Sequence, residues 1–299
     1  MTHFEGIIPA LLTPIGGNGG VAVQPLERLL ERLYGAGVHG MYVCGQTGEG
    51  LLQTASMRKQ AGEVVMACTP KGRSVIVHVG AYRPGEAIEL ARHARSIGAH
   101  AVSSLPPIGG YTFEDVRAYY EKLAAAADLP VLVYYYPEVS AAIRTIDQIL
   151  ELCAIPGVIG LKFTDFDLYR LSLLSVKGKV VFNGRDEVLA AGLLMGAHGG
   201  IGTFYNLVPE LFLEVYRQAR AGDWAAARRA QDRINQLIEL SLRFPVLAAV
   251  KKMMTWSGID CGPCLAPRRD LSPAQESGLK SALEATGFEQ LTSREMVRG

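Results

Sequence analysis

The chain has no apolar stretch long and clean enough to span a bilayer. Its N-terminus, "MTHFEGIIPALLTP", has no basic segment leading into an apolar signal core and a small-residue cleavage site. Charge excess is missing as well, with 30 Lys+Arg against 29 Asp+Glu. That balance leaves no electrostatic footprint for nucleic acid or a membrane surface, although an acidic small molecule needs only a local site. Cysteine is sparse, five residues scattered through 299, in a chain too large to depend on staples. Reduced thiols in a cytoplasmic protein are the expectation. The six histidines show no metal-binding spacing and no nucleotide fingerprint is present, so neither metal nor organic cofactor is expected.

Hydrophobic residues make up 49% of the chain, ample for a full core. They fall into eight short runs: "GIIPALL" (6–12), "GMYVCG" (40–45), "SVIVHVG" (74–80), "HAVSSLP" (100–106), "VLVYYYP" (131–137), "VIGLKF" (158–163), "VVFNG" (180–184) and "GGIGTF" (199–204). Bounded by Gly, Pro and Asp, these read as buried parallel strands. Amphipathic stretches separate them. In "EAIELARHARSIGA", Ile88, Leu90, Ala91, Ala94 and Ile97 form an apolar stripe, with Glu89, Arg92 and Arg95 mainly elsewhere. Eight strand–helix units in roughly 220 residues fit an α/β fold, the (β/α)8 TIM barrel. A doubly wound open sheet is the competitor, without its usual fingerprint. From residue 223 only helical patterns follow, the last opening on a good cap in "SPAQESGLKSALEAT". The expected organisation is a barrel over 1–222 and a helical extension over 223–299 packed on it, with no low-complexity linker between them.

In such a barrel, chemistry gathers where the strands end. Five of those ends are polar or glycine-rich: "CGQTGEG", "YYYPEVS", "LKFTD", "NGRDE" and "GTFYN". Lys162 stands alone among Val158, Ile159, Leu161 and Phe163. An ammonium removed from water loses hydration and its pKa falls, so a neutral amine becomes available to attack a ketone and form a Schiff base. The competing reading is an amine that reaches the barrel rim or pairs with Asp165 or Asp167. Tyr134, at the end of the neighbouring strand, can shuttle the protons that carbinolamine chemistry requires; "YYY" is also simply three good strand formers. "GQTGE" supplies backbone N–H groups and the Thr47 hydroxyl, which can hold a carboxylate or form an ordinary turn before a helix.

Taken in order, "GIIPALLTP", "GQTGEG", "YYYPEVS", "GLKFTD", "NGRDE" and "GGIGTFYN" resemble the pyruvate-dependent class I aldolase family that contains dihydrodipicolinate synthase and N-acetylneuraminate lyase. The resemblance covers nearly the whole chain. It implies a Schiff base on Lys162 and a proton shuttle at Tyr134. Thr47, with the backbone around Gln46 and Gly48, would hold the pyruvate carboxylate. "GLKFTDFDLYRL", "NGRDE" and "GGIGTFYN" look closer to the sialic-acid lyase branch, in which Thr164, Gly184, Asp186, Glu187 and Thr203 would contact a polyhydroxylated chain. The implied partners are pyruvate and an aldehyde, and the implied assembly is a homotetramer of paired dimers.

Departures from the family pattern are specific. The synthase branch carries an arginine shortly after the shuttle tyrosine, where this chain has Val139. Gln46 replaces Ser or Thr, and Ile108 or Gly109 stands where a tyrosine completes a hydroxyl relay across subunits. An amide cannot relay a proton as a hydroxyl can. The expected activity is therefore cleavage of N-acetylneuraminate or a related 2-oxo sugar acid. Dihydrodipicolinate synthase, a sugar-acid dehydratase or hydratase-aldolase, and a non-enzymatic 2-oxo-acid sensor are the alternatives. "CGPC" (261–264) spells a redox motif, but a helical pattern precedes it and proline-rich sequence follows, which is the wrong context. "GAHGGIG" (196–202) contains no basic residue for phosphate, and its glycines with His198 read as a turn.

Overall fold

The structure, a computed structural model, describes residues 4–292. Strand and helix alternate as β1 (Gly6–Pro9), α1 (Val23–Ala36), β2 (Gly40–Val43), α2 (Ala55–Cys68), β3 (Ser74–His78), α3 (Pro84–Ser96), β4 (Ala101–Ser104) and α4 (Phe113–Ala127). The second half continues with β5 (Val131–Tyr135), α5 (Ile146–Ala154), β6 (Val158–Phe163), α6 (Leu168–Val176), β7 (Val180–Asn183), α7 (Leu189–Leu194), β8 (Gly199–Gly202) and α8 (Pro209–Ala221). Three helices follow, α9 (Trp224–Ser241), α10 (Val246–Trp256) and α11 (Pro273–Ala285). The strands run parallel in the order β1-β8-β7-β6-β5-β4-β3-β2, and an Ala10–Tyr42 bridge draws β1 against β2 to close a (β/α)8 TIM barrel.

All eight expected strands are present, most of them shorter at the C-terminal side than the apolar runs suggest. The reason is visible after β1, where Leu12 leaves the ladder and its N–H donates to the Asn206 side chain at 3.2 Å. After β8, residues 204–206 wind into a single helical turn instead of extending.

The pleat sorts each strand between two cores. Ile8, Tyr42, Ile76, Leu132, Tyr134, Phe182 and Ile201 fill the barrel interior. Their neighbours Ile7, Met41, Val43, Val75, Val133, Tyr135, Leu161, Phe163 and Val181 pack outward against the helices. Lys162 lies between Leu161 and Phe163, so the same alternation places its side chain inside the barrel. On α3, Leu90, Ala91 and Ala94 are buried, as the stripe predicts, while Ile88 and, at the C-cap, Ile97 are only half-buried and Ala87, outside the stripe, is buried.

At the opposite end of the barrel, three histidines make the same two-bond clasp to a neighbouring strand. The Ile7 N–H donates to His39 Nδ1 (3.0 Å) while the His39 N–H donates to the Ile7 carbonyl (2.8 Å). Val75 with His100, and Val181 with His198, repeat the pattern. Each histidine immediately precedes a strand, and each ring must be neutral at Nδ1 to accept. His198 therefore belongs to the strand ladder, at the bend that leads into β8.

The C-terminal helices grip the catalytic end. Asp223 caps α9 by accepting the Ala226 N–H, and Ser272 with Gln275 forms a capping box on α11. From α9, the Gln231 amide donates to the Asp186 carbonyl and Asn235 donates to the Glu187 carbonyl. From α10, Lys251 reaches Glu49 in the loop after β2, at 2.7 Å. Among the described residues, no helix is long and apolar enough to cross a membrane.

Candidate active site

β5 and β6 place Tyr134 and Lys162 directly opposite each other in register. The Lys162 amine lies 3.3 Å from the Tyr134 phenol oxygen, above the rings of Tyr134 (4.3 Å to centroid) and Tyr42 (4.6 Å). Asp165 and Asp167 do not take this amine. Asp165 accepts the Phe166 N–H, and Asp167 caps α6 through the Arg170 N–H. With the side chain only 4% exposed, burial pulls the amine down to about 7, partly opposed by the Asp186 carboxylate. Burial raises the Tyr134 phenol above its ordinary value, and Tyr136 adds to the shift. Near neutrality the pair holds one donor and one nucleophile in contact.

Asp186 is buried beneath the same cavity. Burial lifts its carboxyl to about 7, while the Phe204 N–H donating to Oδ2 at 2.7 Å holds it back. A Cβ on Gly202 would stand 2.0 Å from Asp186 Oδ1, and one on Gly184 would stand 2.2 Å from Thr164 Oγ1. Both glycines are thus needed for close approach.

A cavity of about 310 Å³ connects these groups. Gln46, Thr47, Tyr134, Lys162, Thr164, Gly184, Asp186, Glu187 and Thr203 all line it, joined by Tyr136, Arg185 and the side chains of Ile238, Leu242 and Val246. Of the residues named from sequence, Gly48 alone is not on the wall; it is buried and its carbonyl accepts from the Gln53 amide. Thr47 and Thr203 share a hydrogen bond of 2.6 Å, which ties the loop after β2 to the end of β8. Asn206 donates to the carbonyls of Ala10 and Thr203 and fixes that corner. Val139 and Ile108 pack against the inner apolar cluster, so neither position offers a charge or a hydroxyl to the site.

Four contributors escaped the sequence reading. Tyr42 forms one wall of the amine's cage and donates to Ser103 Oγ at 3.1 Å. His78 packs edge-on against Tyr134; it accepts the Leu105 N–H at Nε2, while Nδ1–H donates to the Cys44 carbonyl. Burial, with Arg58 and Lys162 nearby, keeps that imidazole neutral. Glu49 anchors the loop after β2 that carries Thr47, and Arg185 lines the cavity. The signal for Tyr42 and His78 was the one that exposed Lys162, a polar side chain inside an apolar strand. "CGPC" lies in loop and not at a helix N-terminus, and burial raises Cys261 to about 12 and Cys264 to about 11, the opposite of what a reactive thiolate needs.

Known proteins share this arrangement along the whole chain. A model of the dihydrodipicolinate synthetase family matches residues 3–286. N-acetylneuraminate lyase of Rhizobium meliloti is 33% identical over 298 residues, covering 98% of this chain and 99% of its own. N-acetylneuraminate lyase 2 of Escherichia coli is 34% identical over 282 residues, with 93% and 92% covered. The sialic acid aldolase of Ruminococcus gnavus superposes with a TM-score of 0.90 at 27% identity, over 96% of this chain and 98% of that one. With the barrel, the paired Tyr134 and Lys162 and this full-length similarity together, the chain belongs to the dihydrodipicolinate synthetase family.

Proposed function

We propose that the protein is a lyase, a class I aldolase that cleaves N-acetylneuraminate or a closely related 2-oxo sugar acid to pyruvate and an aldehyde. The observation that carries this reading is the buried Lys162 amine, lowered to about 7 and 3.3 Å from the Tyr134 phenol. The neutral amine attacks the C2 ketone carbon, and Tyr134 protonates the oxygen that leaves as water. The C3–C4 bond then breaks with its electron pair drawn into the iminium, giving an enamine. The C4 hydroxyl gives its proton to the Tyr134 phenolate as the aldehyde departs. Protonation at C3 and hydrolysis release pyruvate and restore the amine. Thr47 and Gln46 face the substrate carboxylate; Thr164, Asp186, Glu187 and Thr203 face the hydroxylated chain, with Gly184 making room.

Dihydrodipicolinate synthesis stands second, because the apolar Val139 supplies no cation for a second carboxylate. The five free thiols support a reducing, cytoplasmic setting. Of the expected extension over 223–299, residues 223–292 are described and serve as an extension of the barrel, since α9 and α10 hold its loops, while 293–299 lie outside the described residues. The homotetramer implied by the family resemblance is part of this reading, and exposed apolar side chains such as Tyr169 and Val176 are consistent with contacts between copies; a monomer by light scattering at micromolar concentration would remove that part.

The function is tested by incubating the protein with pyruvate and borohydride and mapping the adduct. A reduced adduct on Lys162 that vanishes in Lys162→Ala is expected, together with turnover of N-acetylneuraminate in preference to condensation with aspartate semialdehyde. Labelling that persists in Lys162→Ala overturns the assignment.

A further inference from the structure

The mouth of the cavity holds an arginine for which the proposed reaction has no use. Arg185 follows Gly184 in the "NGRDE" segment, and its guanidinium lines the cavity beside Glu187 and Tyr136. Two aromatic faces bracket it, Phe166 at 4.5 Å and Tyr136 at 5.4 Å from the guanidinium carbon. A single ion pair, to Glu138, engages one terminal nitrogen. The Arg185 side chain is 15% exposed whereas Glu138 is 61% exposed, so the pair is screened on one side only. Nε is buried and has no hydrogen-bond partner. A planar guanidinium carries five donors in a rigid fork. Here that fork is held in place by stacking and by Glu138, with most of its donors unspent.

We propose that Arg185 is a specificity-determining residue that donates to an uncharged acceptor oxygen, a hydroxyl or an amide carbonyl, on the aldehyde half of the substrate. This rests on the aldolase reading above and names which end of the substrate this wall takes. Position supports it: Lys162 fixes C2, Thr47 and Gln46 lie toward the carboxylate, and Arg185 stands among the residues facing the remainder of the chain. Charge decides against a second substrate carboxylate. Glu138 already neutralises the arginine, and Asp186 and Glu187 face the same space, so a further anion meets two or three acidic groups for one shared cation. A neutral oxygen pays no such repulsion and can take up a terminal N–H that Glu138 leaves unspent.

The test runs the reaction toward condensation, with pyruvate and either N-acetylmannosamine or acetaldehyde, which lacks every distal oxygen. Arg185→Met is expected to lower the ratio of kcat/KM for the long aldehyde to that for the short one by about 10- to 100-fold. Arg185→Lys, which keeps the charge but loses the fork, should recover little of that ratio. Equal losses with both aldehydes, restored by Arg185→Lys, would mean that the arginine acts only through its field on Tyr134, and would overturn the proposal. An unchanged ratio would overturn it as well, and so would a wild-type protein that traps pyruvate but condenses it with neither aldehyde. Borohydride trapping of pyruvate on the wild type is the control. Its failure removes the aldolase reading itself, and this proposal with it, whereas a normal adduct with an unmoved ratio removes this proposal alone.

Discussion

Removing the charge from Glu49 is expected to loosen both the fold and the pyruvate end of the site. Glu49 has no exposed side-chain surface and Lys251 only 3%, and the two meet at 2.7 Å. The remaining valences are also taken. The Leu265 N–H donates to Glu49 Oε1 at 2.8 Å, and Lys251 donates to the Pro263 carbonyl at 2.6 Å. In Glu49→Gln the amide oxygen can still accept from Leu265, so the main loss is the counter-charge of a buried ammonium. Breaking one side of such a pair costs roughly 3–5 kcal/mol. At roughly 2–4 °C per kcal/mol for chains of this order of size, the melting temperature should fall on the order of 10 °C. Lys251→Met should cost less, because the partly exposed Arg268 guanidinium, 3.9 Å from Glu49 Oε1, stays beside the carboxylate. The double variant should be less destabilised than the sum of the singles by about 2 kcal/mol, because neither charge is then left alone. Urea unfolding followed by tryptophan fluorescence and by far-UV circular dichroism measures all three. Thr47 lies two residues before Glu49, so the KM for pyruvate in Glu49→Gln should rise more than kcat falls. A Glu49→Gln variant within about 1 kcal/mol of wild type, or strictly additive singles, would refute the view that this pair holds the loop.

The rate of pyruvate trapping should rise about tenfold between pH 6 and pH 8 and then level off, because an amine lowered to about 7 is mostly neutral by pH 8. A lysine with an ordinary pKa would instead keep gaining about tenfold per unit up to pH 9 and beyond, and that profile would contradict the burial argument. Acid should weaken the lower end of the barrel. Burial lowers the pKa of His39 and of His100 below the unfolded value, so between the two values the unfolded chain binds more protons. Stability then rises with pH through that window and falls as pH drops from about 6.5. Replacing His39 by Gln, whose amide oxygen can also accept, should flatten this dependence in pH-resolved denaturant melts, and an unchanged slope would remove His39 from the account.

Much of this was legible because buried parallel strands advertise themselves. "VIGLKF" and "VLVYYYP" are too apolar and too short to be anything else, and one polar residue within such a run marks the site. Lys162 and Tyr134 stand out for that reason, whereas Thr164, Asp186, Glu187 and Thr203 lie in polar strand-end segments and were singled out only through the family resemblance. Tyr42 and His78 share the same signature, yet tyrosine is a strand former and a lone histidine in a strand reads as core, so neither looked functional without its neighbours. Arg185 and Glu138 were illegible for another reason. They are 47 positions apart, and only the curvature of the barrel brings them together. The Glu49–Lys251 contact is more distant still, and no local pattern encodes it. Strand lengths were overestimated because hydrophobicity continues past the last ladder hydrogen bond, as in Leu12, which is buried in loop and not in sheet.

That long contact has a consequence for the order in which the protein is made. Lys251 follows Glu49 by 202 positions, so at translation rates of about 5–20 residues per second some 10–40 s pass between the two. All eight strands have left the ribosome before Lys251 does, and until it emerges the loop carrying Thr47 lacks the ammonium that pairs with its carboxylate. The wall formed by Ile238, Leu242 and Val246 also arrives only with the last quarter of the chain. Nascent chains released ahead of Lys251 should therefore have a complete sheet and Lys162 in place, yet capture pyruvate poorly.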